Sequence, residues 1–219
     1  MRVRKPSNRG GVKKIISKFP SYRMNRTVYA EGTIELDYLY LLEYDHPNVI
    51  YFAEQPGRIN YELDGRWRYY TPDFHVQTND EHLIVEVKRK DDALEEENQR
   101  LFRIAADACA KEGYRFVVMT DEVIREQPRL DNIKLLSRYE RIDIDNPLYQ
   151  IACHEFFTGR GEANLDEIMR FFESRKVGKQ AVYALLFWRV LVTDLTSAIG
   201  PESIVRLPGR EVISERRAS

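Results

Sequence analysis

Three ionisable residues in one stretch have the types and spacing that phosphodiester hydrolysis requires: Asp73 in Tyr70-Thr71-Pro72-Asp73-Phe74, then Glu86 and Lys88 in Ile84-Val85-Glu86-Val87-Lys88. Residues two apart in a strand project from one face, so Glu86 and Lys88 point together while Val85 and Val87 enter the core. If the preceding strand pairs antiparallel through a turn at Thr78 to Glu81, Asp73 lands beside Glu86. Two carboxylates in contact repel when both are ionised, and a hard cation, Mg²⁺ or Mn²⁺ as one or two ions, reconciles them. Such an ion polarises a phosphate, acidifies bound water and stabilises the departing oxygen, and Lys88 adds positive charge where the pentavalent phosphate builds negative charge. Glu-Val-Lys alone reads equally as a solvated strand face. The conjunction with Pro-Asp, twelve residues separating Asp73 from Glu86, and with a helical acid upstream is what points to metal-dependent DNA cleavage.

The acid upstream comes from Glu31 to Tyr44, where Ile34, Tyr38, Leu41 and Leu42 recur at helical spacing, with Glu31 and Glu35 one turn apart. Either is a candidate metal ligand, and Glu31 is also a charge that suits a helix N-terminus. His75 shares a strand face with Asp73 and is a possible site-lining residue, whereas His46, His82 and His154 lack zinc-ligand spacing. Glu95, Glu96 and Glu97 read as charges favoured at the start of the next helix.

The elements expected to position these residues follow from patterning. Short segments rich in branched and aromatic residues, Val49 to Tyr51, Arg58 to Leu63, Trp67 to Tyr70, Phe74 to Gln77 and Leu83 to Val87, predict an antiparallel meander with a hairpin turn at Asp64-Gly65. A helix is predicted over Ala93 to Glu112, closed by Gly113, then a buried strand over Tyr114 to Met119. The fold class is therefore α/β, a mixed sheet flanked by helices. Asp143 to Pro147 is turn-prone and marks a boundary. Beyond it, a helix started by a capping box at Asn164 and Glu167, a second helix over Lys179 to Val190, and a hairpin over Leu191 to Leu195 and Ser203 to Leu207 predict a small winged-helix-like module. Arg175, Lys176 and Lys179 precede or enter its second helix, where DNA, a protein partner or water could meet them.

Composition sets the outer limits. At 219 residues and net charge −1, the chain is long enough for a sizeable core and lacks a uniformly basic coat. Its two cysteines, Cys109 and Cys153, make a poor disulfide framework and read as small buried residues. No apolar run is long enough for a membrane span, and a soluble, cytoplasmic protein is expected. The charge is nonetheless uneven: no acid precedes Glu31, while Arg2, Arg4, Lys5, Arg9, Lys13, Lys14, Lys18, Arg23 and Arg26 are all basic. This run is either a solubilising tail or a DNA-binding arm that grips phosphates without sequence choice. The expected organisation is a basic arm over 1–30, a nuclease domain over 31–147, a winged-helix-like domain over 148–213 and a tail over 214–219.

Pro72-Asp73 with Glu86-Val87-Lys88 resembles the PD-(D/E)xK nuclease superfamily, the restriction-endonuclease-like fold. Ile34-Glu35, Asp45-His46-Pro47-Asn48-Val49, Glu54-Gln55-Pro56, Tyr70 to Phe74 and Val118-Met119-Thr120-Asp121-Glu122 further resemble the TnsA endonuclease subunit of heteromeric transposases, in order and spacing. The resemblance implies an Mg²⁺-dependent endonuclease that cuts double-stranded DNA at the 5′ ends of a transposon, freeing the non-transferred strand. It implies two partners, a TnsB-like transposase and a TnsC-like AAA+ ATPase. Carried over by motif, the metal carboxylates are Asp73 and Glu86, the catalytic lysine is Lys88, Glu35 takes the helix position, and Gln55 lies near the site. The family's best-known member has glutamine where this chain has Glu86, and glutamate is the superfamily's usual residue there. The alternatives are a stand-alone restriction, repair or phage nuclease, and a non-catalytic DNA-binding adaptor.

Overall fold

The computed structural model describes residues 16–44, 48–63 and 65–209. These fall into two compact units that divide between Glu126 and Gln127. The turn-prone stretch Asp143 to Pro147, expected as the boundary, therefore lies inside the second unit. Among the described residues, no helix is long and apolar enough to cross a membrane.

The first unit begins with strands β1 (Ser17–Ser21) and β2 (Arg26–Ala30), an antiparallel hairpin where a basic arm was expected to run to residue 30. The inward positions Phe19, Ser21, Val28 and Ala30 are buried, and Lys18, Pro20, Thr27 and Tyr29 alternate with them. Helix α1 (Thr33–Tyr44) follows and buries Tyr38, Leu39, Leu41 and Leu42. Its Glu43, fully buried, accepts from Ser21 Oγ at 2.6 Å and the Arg23 amide at 2.7 Å, which ties the hairpin to the helix.

The remaining strands are β3 (Val49–Glu54), β4 (Ile59–Leu63), β5 (Arg66–Tyr70), β6 (Phe74–Thr78) and β7 (His82–Lys88). They do not form one meander. β3 pairs with β6, so β4 and β5 are excluded from the central sheet and pair only with each other, from Ile59 opposite Tyr70 to Leu63 opposite Arg66. Gly65, at φ 71°, supplies the left-handed residue this tight hairpin needs. After β7 come α2 (Lys90–Leu94), α3 (Glu96–Lys111), β8 (Arg115–Thr120) and the short α4 (Asp121–Ile124). The helix expected over Ala93 to Glu112 is thus two helices, because Glu95 adopts extended backbone. Side chains of α3 satisfy carbonyls freed by the break: Asn98 Nδ2 donates to Asp92 O at 2.7 Å and Gln99 Nε2 to Ala93 O at 2.6 Å.

The central sheet has the order β3-β6-β7-β8, antiparallel except for the parallel pair β7 and β8, whose crossover is α2 and α3. On one face Phe74, Val76 and Val85 are buried, with Tyr38 of α1 edge-on to Phe74 at 5.5 Å. On the other, Phe102 of α3 meets Phe116 of β8. Helices on both faces of a mixed sheet make a nuclease-like α/β architecture.

The second unit contains α5 (Arg129–Ser137), α6 (Pro147–Phe157), β9 (Glu162–Asn164), α7 (Leu165–Ser174), α8 (Gln180–Phe187), β10 (Val192–Thr193) and β11 (Ile204–Arg206). β10 pairs with β11 as expected, and β9 adds a third antiparallel strand. The expected capping box at Asn164 is not formed. The first amides of α7 already have backbone acceptors, Leu165 N on Ser203 O at 2.9 Å and Asp166 N on Pro201 O at 3.0 Å, and the Asn164 amide turns to Glu202 instead. Both cysteines are buried and free.

Candidate active site

The register between β6 and β7 determines the site. Phe74 stands opposite Val85, so the next positions along, Asp73 and Glu86, emerge together on the face that Lys88 also occupies. The Glu86 carboxyl acts directly on that of Asp73. Glu86 is buried at 6 % exposure. Lys88 Nζ stands 3.5 Å from Glu86 Oε1, and the backbone amide of Val87 donates to Asp73 Oδ2 at 2.8 Å. The local sequence explains the precision. Val85 and Val87 pin β7 into the core, Pro72 ends the loop from β5, and the Gln55 amide donates to Asp73 O at 2.7 Å, extending the β3 to β6 ladder to Asp73.

Electrostatically the pair is frustrated. Burial, then the nearby Glu86 and Glu35 charges, push the Asp73 carboxyl well above the usual carboxylate range, against the lowering effect of the Val87 amide. Part of the Asp73 residue reaches solvent, so this desolvation belongs to the enclosed carboxyl rather than to the whole side chain. A group protonated more readily in the fold than in the unfolded chain gives the native state the extra proton between the two pKa values, so stability falls as pH rises through that window. In chelator, the urea midpoint of the parent is therefore expected to fall more steeply with rising pH than that of Asp73→Asn. The two should converge in acid, where the Asp73 carboxyl is neutral like the asparagine amide that replaces it. Parallel pH profiles would show that Asp73 carries no such burden.

Tyr70, at the end of β5, was not singled out by sequence. Its hydroxyl donates to Glu86 Oε2, and its ring lies edge-on to Phe116 at 6.3 Å. Burial and the Glu86 charge push the phenol far up, so it stays a donor throughout the working pH range. The sequence signal was its place three residues ahead of Asp73, at the polar end of an aromatic strand.

The other expected site residues divide. Glu35 lies in the first turn of α1, where its charge acts on Asp73, but Glu35 Oε2 accepts from the Glu31 amide at 2.7 Å. Glu31 precedes the helix rather than sitting a turn earlier within it, and its buried carboxylate accepts from Gln55 Nε2 at 3.0 Å. Gln55 has φ 44°, and its Oε1 is a buried oxygen with no hydrogen-bond partner. His75 is not among the acids: its Nε2 lies 3.1 Å from His82 Nδ1, the rings stack, and Tyr114 meets both edge-on. Desolvation and His82 lower its pKa.

Of the basic residues assigned to DNA, Arg2, Arg4, Lys5, Arg9, Lys13 and Lys14 lie outside the described residues. Lys18 is exposed on β1. Arg23 and Arg26 serve the fold: Arg23 donates to the carbonyls of Val49 and Glu43, both at 2.9 Å, and Arg26 grips the buried Glu54 with two hydrogen bonds. In the second unit, Arg175 pairs with Glu155 at 3.0 Å and Lys179 with Glu173 at 3.3 Å.

Among the described residues, no three His, Cys, Asp or Glu side chains are arranged to hold a metal ion. The donors at the site still suit Mg²⁺, which is commonly bound through one or two carboxylates with water and substrate phosphate completing its shell. A divalent ion between the two carboxyls would offset the repulsion that raises the Asp73 pKa.

A mixed sheet flanked by helices, with an aspartate and a glutamate brought together across neighbouring strands and a lysine two residues on, fits a nuclease-like fold of the kind PD-(D/E)xK enzymes have. Residues 46–121 match the family model described as TnsA-like endonuclease N terminal, which bears out the resemblance to TnsA-type nucleases. The matched segment holds Gln55, Tyr70, Asp73, Glu86 and Lys88, and stops short of Glu35. A comparison with curated proteins returns no match.

Proposed function

We propose that this protein is the Mg²⁺-dependent endonuclease of a transposition machinery, hydrolysing the phosphodiester at the 5′ ends of the transposon. The observation that carries the reading is the enclosed Asp73 and Glu86 pair with Lys88 beside it. Asp73 and Glu86 would hold the ion, which when bound supplies an acidified water and charge stabilisation for the leaving oxygen. Asp73 is oriented by the Val87 amide, which leaves Oδ1 for the cation. Lys88 holds a non-bridging phosphate oxygen and the attacking water in line, on the face it shares with Glu86. Glu35 raises the negative field at the site and so its demand for a cation. Gln55 Oε1, buried and unpaired, would be an acceptor for a water bound to such an ion.

Tyr70 positions Glu86. Tyr70→Phe keeps the ring against Phe116 and deletes one hydrogen bond to a charged acceptor. It is expected to slow cleavage roughly tenfold and to raise the Mg²⁺ concentration needed for half-maximal rate, with the KM for DNA unchanged. A variant with parental metal dependence would remove Tyr70 from the site.

The second unit reads as a winged-helix-like module, supported by the order α6, β9, α7, α8, β10, β11 and the strand order β10-β11-β9. It suits a protein partner better than a DNA groove. A DNA-reading helix presents polar side chains outward, whereas α8 buries Ala181, Val182 and Ala184 to Phe187. We assign it to the TnsC-like ATPase, leaving end recognition to the TnsB-like transposase. The test is cleavage of double-stranded transposon-end DNA by the purified chain with both partners. A nick on the 5′ strand that needs Mg²⁺ is expected. Cleavage undiminished in chelator, or at the 3′ strand alone, would overturn the reading.

A further inference from the structure

Gln55, the residue after β3, has its backbone in the left-handed region at φ 44°. Glycine, and to a lesser degree asparagine, takes that conformation at little cost, and a longer side chain held there marks a place where the side chain is used. Neither of the easier residues could replace it: glycine has no side chain, and asparagine is one methylene shorter. The Gln55 amide N–H donates to Asp73 O at 2.7 Å, one step beyond the pairing of Glu54 with Phe74. Its carboxamide, buried at 8 % exposure, donates from Nε2 to Oε1 of the buried Glu31 at 3.0 Å. An ionised carboxylate only accepts, so the amide nitrogen is the end that must face it. Glu31 in turn donates its backbone N–H to Glu35 Oε2 at 2.7 Å, and the Glu35 charge acts back on the Asp73 carboxyl. The contacts close a ring from Asp73 to Gln55, Glu31, Glu35 and back. It joins the end of β3 to the start of α1 and to the residue before β6. Helical spacing alone leaves Glu31 and Glu35 as alternatives for one task, whereas the ring gives them different ones.

We propose that Gln55 and Glu31 form a strut between β3 and α1 that sets the spacing of Glu35 from Asp73. Both are then positioning residues, and Glu35 rather than Glu31 is the helix acid of the site. What the strut serves rests on the nuclease reading, while its existence rests on the contacts alone.

The test exchanges the pair. Gln55→Glu sets two carboxylates against each other, and Glu31→Gln leaves two neutral amides. Glu31→Gln combined with Gln55→Glu restores one donor and one acceptor, with the same shapes and the same net charge. Hydrogen exchange of the full chain in chelator reads the strut without metal or cleavage. In Gln55→Glu the Glu31 and Gln55 amides should lose protection roughly 10- to 150-fold, the equivalent of one hydrogen bond to a charged group, while amides of the β7 and β8 pair keep theirs. The exchanged double variant should return both amides to within about threefold of the parent, a coupling that independent sites do not show. Cleavage in the partner assembly at saturating Mg²⁺ should follow the same order, slowed in Gln55→Glu and recovered in the double variant. A double variant no better than Gln55→Glu overturns the strut, as does protection lost equally throughout the first unit. Parental cleavage by Gln55→Glu at a lower Mg²⁺ requirement would overturn it by making position 55 a ligand. Glu31→Gln that keeps both amides protected but loses the stabilisation Mg²⁺ gives in thermal unfolding would overturn it by making Glu31 a ligand. The nuclease reading is judged separately by Asp73→Ala. Parental cutting by that variant leaves the exchange result standing, and failure of the double variant to recover leaves the dependence on Asp73 standing.

Discussion

Alanine at Asp73 is expected to lower the cleavage rate on transposon-end DNA by on the order of 10³-fold, and alanine at Lys88 by about 10²- to 10³-fold. The two losses arise differently and should be separable. Without Asp73, Glu86 is left as a single carboxylate against Tyr70 and Lys88, too little charge to hold a dehydrating cation, so both metal binding and chemistry go. Without Lys88, the carboxyl pair is intact and the cation should still bind, with the charge of the pentavalent phosphate left uncompensated. Thermal unfolding with and without Mg²⁺ distinguishes them: the parent and Lys88→Ala should be stabilised by the ion, and Asp73→Ala should not. Lys88→Arg should not rescue, because a planar fork on a stiffer head cannot take the position of a compact ammonium 3.5 Å from Glu86. Both alanine variants cutting at the parental rate in the partner assembly would end the assignment of these residues.

That these residues meet was legible because their placement rests on short-range rules. The alternation in β7 dictated that Glu86 and Lys88 share a face, and the turn between Thr78 and Glu81 dictated the register that brings Asp73 across. The Asp-Gly turn and Gly113, at φ 80°, were legible for the same reason, a local backbone demand met by a particular residue. What escaped depends on partners distant in the chain. β1 and β2 were hidden because nine basic residues dominate the segment, and its pairing is secured by Glu43, which lies more than one element away. The meander failed because nothing local says that β3 skips β4 and β5 to pair with β6. The break at Glu95 is held by Asn98 and Gln99, whose side chains had no reason to be read as caps. Glu31 and Glu35 were placed on one helix by periodicity, whereas the chain starts that helix at Thr33 and lets Glu35 reach back to the Glu31 amide. Tyr70 became visible only once the excluded hairpin was seen to fold its end over Glu86.

Phe74→Ala is expected to destabilise the first unit by about 3–5 kcal/mol, the range for deleting a fully enclosed phenylalanine. Phe74 has no exposed surface, stands between Glu54 of β3 and Val85 of β7, and receives the Tyr38 ring edge-on at 5.5 Å. A cavity at this position opens between α1 and the sheet beside two of the candidate acids, where backbone pairing on both sides resists collapse. A loss of that size is a large part of the roughly 5–15 kcal/mol by which a domain is stable. Hydrogen exchange on the full chain makes the measurement local: protection of β6 and β7 amides should fall by about 10²- to 4 × 10³-fold. Amides of Ile168 and Leu185, buried in the second unit, should keep theirs. Val123→Ala, at a side chain 53 % exposed, should stay within about 0.5 kcal/mol of the parent and serves as the control. Because Phe74 adjoins Asp73 in the chain, cleavage by the folded fraction of Phe74→Ala should also fall, whereas a purely global loss of stability would leave the rate per folded molecule unchanged. A destabilisation below about 1 kcal/mol would mean that the wall behind the acidic pair yields to fill the gap, and that the register holding Asp73 against Glu86 is not anchored there.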